Sequence, residues 1–154
     1  MKRKLDKEEA KKVIFASGLK PFSFECLRAK KVAMAKIAEA FRYPYENKEG
    51  IEPNLLSYGS AVGCALRVYY DPKHGCVEEM LTVTYLGGAV AARCANVNSV
   101  GADLREVAKL LDGGYYDEVD EFKRLEKEAF EIEFDREGHP VVYAPEGVSW
   151  EGGE

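Results

Sequence analysis

Histidine is scarce in this 154-residue chain, with His74 and His139 the two present, and tryptophan occurs once. Both histidines fall in predicted turns with no nucleophile close in sequence, so the inventory for general acid–base chemistry is thin. No HExxH, GxGxxG, GxxxxGK[ST], kinase or EF-hand pattern occurs, and Gly59-Ser60-Ala61-Val62-Gly63 has the wrong spacing for a GxSxG nucleophile loop. Catalysis is therefore not expected, and no catalytic residue is assigned. No apolar run approaches the roughly 20 residues that cross a bilayer. The N-terminal charges are not followed by an apolar leader segment, so a cytoplasmic protein is expected.

Cysteine is also sparing. Cys26, Cys64, Cys76 and Cys94 lie 38, 12 and 18 residues apart, which matches no CxxC-type zinc or redox signature. Buried, reduced thiols are the expectation. A Cys64, His74, Cys76 cluster would lack its fourth ligand, so neither a metal nor a cofactor is expected.

What is present is ordinary for a globular protein: 46% apolar and 32% charged residues, enough chain for one domain spanning 1–154, with flexible ends over 1–5 and 146–154. The net charge of −5 conceals a dipolar chain, because residues 1–50 carry 13 Lys/Arg against 7 Asp/Glu while the remainder carries 9 against 20. Such asymmetry marks either a charged-partner surface or two faces that attract each other inside the fold.

The pattern predicts an α+β fold organised around an antiparallel three-stranded meander at about 61–97, with turns at DPKHG and Gly87-Gly88. Side chains alternate faces along a strand and partners across strands share a face, so the register can be tested by parity. Pairing Tyr70 with Val77 sets Leu66 against Leu81 and Cys64 against Val83; only Val68 opposite Glu79 breaks the apolar match. A Gly87-Gly88 turn pairs Leu86 with Ala89, Tyr85 with Val90 and Leu81 with Cys94. That face is expected to be buried. The other, with Arg67, Tyr69, Met80, Thr82 and Arg93, is expected to be half covered.

Helices are predicted at 23–42 (N-cap Ser23, stopped before Pro44), 100–112 and 115–130, and a C-terminal hairpin joins FEIEF to PVVY across DREG. Asp6 is a plausible N-cap for a short helix from Lys7, although VIFA could also form a strand.

The function expected from this pattern is that of a non-enzymatic interaction protein, an inhibitor or regulator in the style of a phage or mobile-element accessory protein. Its partner would be another protein, bound through an acidic, tyrosine-bearing surface of Tyr115, Tyr116, Asp117, Glu118, Asp120, Glu121 and Glu128 that mimics nucleic acid. The alternative is direct nucleic-acid binding, with Arg28, Lys31 and Arg42 sharing one edge of helix 23–42 and Arg67, Tyr69 and Arg93 on the open sheet face. The pI of about 5.3 weighs against it, because release of counterions needs a concentrated basic patch. A small enzyme without a recognisable motif is the third possibility.

Overall fold

The structure, a computed structural model, describes residues 2–51, 56, 58–93 and 120–148. The predicted meander forms its middle: β2 (Gly63–Asp71), β3 (Cys76–Tyr85) and β4 (Gly88–Arg93). β1 (Arg3–Lys4), β5 (Phe130–Phe134) and β6 (Pro140–Ala144) extend it to a six-stranded antiparallel sheet in the order β1-β6-β5-β2-β3-β4. Helices α1 (Lys7–Ser17) and α2 (Pro21–Arg42) precede the meander, and a third helix, α3, is described over residues 120–128. The fold is α+β, with the C-terminal hairpin as expected.

The β2–β3 register is the one parity predicted, with Tyr70 opposite Val77, Leu66 opposite Leu81 and Cys64 opposite Val83. Glu79, the residue out of pattern, is neutralised by Lys30 of α2, whose ammonium lies 2.8 Å away. The β3–β4 register differs from expectation. Tyr85 pairs with Gly88, Val83 with Val90 and Leu81 with Ala92, so the turn is Leu86-Gly87. Gly88 adopts φ +150, which side-chain-bearing residues rarely reach, and it does so inside the strand instead of in the turn. The partner moves by two residues, which keeps every side chain on its predicted face.

α1 is a helix and not a strand, because the Asp6 carboxylate accepts the Glu9 N–H at 2.8 Å and Gly18 closes the other end at φ +78. α2 starts two residues before the expected cap. Pro21 at the first position, with its pre-set φ and no N–H to satisfy, opens the helix, and Ser23 lies within the first turn. Its end at Arg42, two residues before Pro44, is as predicted.

Two corrections change the architecture. Residues 2–5 were expected to be flexible, yet Arg3 and Lys4 pair with Ala144 and Tyr143, the Leu5 N–H donates to Val142, and Leu5 is buried. The mixed sheet face was expected to stay half open; instead Phe122 and Leu125, on one side of α3, and Ala129 just past its end close over Tyr69, Met80 and Ala91. α1 and α2 cover the opposite face around Val13, Leu27, Val68, Phe130 and Ile132. The sheet is thus sandwiched between helices. The predicted helix 100–112, Cys94 and Tyr115 to Glu118 lie outside the described residues, as do 149–154 of the expected flexible tail.

Candidate functional site

On the helix-α3 side, the buried sheet face carries two ionic networks. In the first, the Arg124 guanidinium donates to Asp71 at 2.8 Å, to Glu128 at 3.0 Å and to Glu121. Asp71, at the end of β2 and 1% exposed, also lies 2.7 Å from Nδ1 of His74. Burial alone would raise the Asp71 pKa, but hydrogen bonds from Arg124 and His74 outweigh it and hold the carboxyl below its usual range. Arg93 extends the network to Glu78 at 3.7 Å and Glu121 at 3.5 Å. In the second network, Lys2 bridges Glu126 and the buried Glu131, and the Tyr69 hydroxyl donates to Glu126.

These networks relocate the residues chosen from sequence. Of the acidic set, Glu121 and Glu128 are engaged by Arg124, and Asp120 is exposed. The part of that surface within the described residues is therefore largely neutralised by the protein itself. Of the basic set, Tyr69 is fully buried beneath Phe122, their ring centroids 6.5 Å apart, and is not presented to solvent for base stacking. Arg67 pairs with Glu131 at 3.7 Å, and its guanidinium lies over the Phe122 ring. Lys31 pairs with Glu133, while Arg42 and Arg28 are exposed.

Arg28 lies across the β5–β6 turn. An added Cβ at Gly138 would sit 1.7 Å from its Nη1, and Gly138 holds φ +84. Gly138→Ala is expected to cost about 1 kcal/mol, from the positive φ more than from a clash that the flexible arginine can avoid. Thermal melting checks the cost, and Arg28 should be displaced with it.

Two thiols, Cys64 and Cys76, are set against reactivity. Burial pushes Cys64 up to about 11, and burial together with Glu78 raises Cys76, the opposite of an activated nucleophile. Cys26 is exposed and the other two are partly so, a correction to the expectation of buried thiols. No cluster of metal-ligating side chains occurs among the described residues, and none of their helices is long and apolar enough to cross a membrane.

Sequence reasoning missed the exposed apolar surface at one end of the sheet. Leu86, in the β3–β4 turn, is 95% exposed, and Tyr45, just past α2, is 70% exposed. Tyr43, Tyr58 and Val62 are also exposed. Tyr58 and Val62 meet the end of β3 that leads into Leu86, the Tyr58 ring stacking on Tyr85 with centroids 5.2 Å apart and the Val62 N–H donating to Thr84 at 2.7 Å, while the Ala61 N–H donates at 3.0 Å to Phe41, two residues before Tyr43. The signal was there in Tyr43, Tyr45 and Tyr58 around a Pro- and Gly-bearing connection, but only the β3–β4 turn places Leu86 beside them. Comparison with protein-family models, curated proteins and solved structures finds no match.

Proposed function

We propose that this chain is a non-enzymatic interaction protein, an inhibitor or regulator that binds a protein partner. The observation that carries the reading is the apolar, tyrosine-bearing end formed by Tyr43, Tyr45, Tyr58, Val62 and Leu86. A leucine almost wholly in water beside exposed tyrosines is the composition of a protein-binding surface, since Tyr is enriched where partners meet and clustered exposed apolar groups mark interaction sites. In this reading the acidic residues are not part of the contact, because Arg124 ties Glu121 and Glu128 to Asp71, at the end of β2 remote from Val62 and Leu86, and a cytoplasmic setting suits the reduced thiols.

The test pairs Tyr45→Glu with Leu86→Glu. Both positions are exposed, so folding stability should change by no more than about 0.5 kcal/mol. Affinity capture from the source cell, with partners identified by mass spectrometry, should lose its partner with the double variant. Unchanged capture would overturn the assignment of the surface. Gel shifts with short DNA and RNA across a salt range provide the opposing outcome: binding that weakens steeply with salt would replace this reading with direct nucleic-acid binding.

A further inference from the structure

β3 pairs with β2 along its whole length, from Gly63 to Asp71, whereas β5 pairs only with Val68, Tyr69 and Tyr70. Beyond that point the strands diverge, because β5 continues with β6 as far as Phe134 opposite Pro140. A cleft of about 550 Å³ opens between Cys64–Arg67 on one side and Glu133–Asp135 on the other, with Arg28 and Lys31 of α2 alongside. That volume falls within the range of sites that hold a ligand. Among the described residues no strand pairs with residues 63–67 on this side, so about 17 Å of strand edge faces the cleft.

The charges in the cleft are unevenly committed. Glu133 is engaged by Lys31, and the Asp135 carboxylate accepts the N–H groups of Glu137 and His139 at 2.9 and 2.8 Å. The Nε of Arg67 is buried without a hydrogen-bond partner, a costly state that an acceptor entering the cleft would relieve. Arg28 has no carboxylate partner among the described residues. Spare donors, a strand edge unpaired among the described residues, and the apolar side chains of Leu66 and Phe134 therefore coincide.

We propose that the cleft takes an extended, acidic segment of a protein partner, added as a strand along residues 63–67 of β2, with a carboxylate held by Arg28 on the α2 side and a main-chain carbonyl of the segment meeting the Nε of Arg67. Main-chain pairing supplies affinity and alternate side chains supply selectivity in such strand addition. The inference rests on the reading of the chain as a protein-binding module and specifies the chemistry of the segment bound. Gly63 follows directly on Val62, so the segment would run from the cleft to the tyrosine-bearing end.

The probe is a blocked hexapeptide alternating Glu and Val, titrated into the full-length ¹⁵N-labelled protein. Amide shifts should concentrate at residues 63–67 and 133–135, with cross-strand NOEs from peptide Hα protons to β2. A Lys-for-Glu peptide should bind at least about tenfold more weakly, as should the original peptide to Arg28→Ala. N-methylation at alternate peptide residues should abolish binding. Absence of shifts overturns the proposal, and so does equal binding of the N-methylated peptide. If free glutamate or inorganic phosphate reproduces the shifts at Arg28 and Arg67, the cleft is a small-anion site and strand addition fails. The Tyr45/Leu86 capture experiment is scored separately, so a silent peptide with partner capture intact defeats this inference alone.

Discussion

Leu125→Ala is expected to lower the unfolding free energy by about 3 kcal/mol, read as a fall in the urea midpoint at unchanged slope. Leu125 is fully buried among Tyr69, Met80, Ala91 and Ala129, and it is the central apolar contact through which α3 closes the second sheet face. The cavity left by alanine has little freedom to collapse. Tyr69 is held from its far end by the hydroxyl it donates to Glu126, and Met80 and Ala91 are fixed by their strand pairing. Leu86→Ala removes the same side chain from a position that is 95% exposed, and its effect should stay within about 0.5 kcal/mol. A Leu125→Ala cost equal to that of Leu86→Ala would mean that α3 does not seal the sheet, and that the mixed face is open after all.

That contrast shows where the sequence was legible. Parity settled the β2–β3 register because both strands carry long alternating runs, and a slip of one residue would have put Leu66, Leu81 and Val83 into water. It could not separate the two candidate β3–β4 registers, because a shift of two residues preserves every face. Only the backbone freedom of Gly88 distinguishes them. The closure of the second face was concealed by its composition. Arg67, Tyr69 and Arg93 read as half-exposed polar residues, yet each charge or hydroxyl meets a partner from a distant element: Glu131 for Arg67, Glu126 for Tyr69, Glu121 for Arg93. Pairings across 28 or more residues leave no local trace. The same long-range attraction accounts for part of the dipolar charge pattern, since Lys2, Lys30 and Lys31 from the basic half reach Glu126, Glu79 and Glu133 in the acidic half. The strand edge at 63–67 was invisible for a related reason: nothing in β2 itself shows that β5 will pair with only three of its residues.

Asp71→Asn should reveal how much of the stability rests on the first ionic network. Asp71 is 1% exposed and binds both Arg124 and His74, so neutralising it leaves Arg124 to Glu121 and Glu128 alone and loses the charged tie from the end of β2 to α3, while the Tyr69–Glu126 hydrogen bond remains. The expected cost at neutral pH is about 2 kcal/mol, below the 3–5 kcal/mol typical of a fully buried pair, because Arg124 is partly in water. The loss must also depend on pH in one direction. Asp71 titrates lower in the folded protein than in the unfolded chain, where its ordinary value is about 3.9. As pH falls through that value the unfolded chain takes up its proton first, so the contribution is fully present above it and disappears as pH drops through the lower folded value. The difference in stability between the natural protein and Asp71→Asn should therefore be flat from about pH 7 to pH 5 and should shrink below that. Taking the difference between the two proteins cancels the titration of the other carboxylates. A gap that persists undiminished at the acid limit would show that asparagine disturbs packing and that the carboxylate charge is not what joins the sheet to the helix.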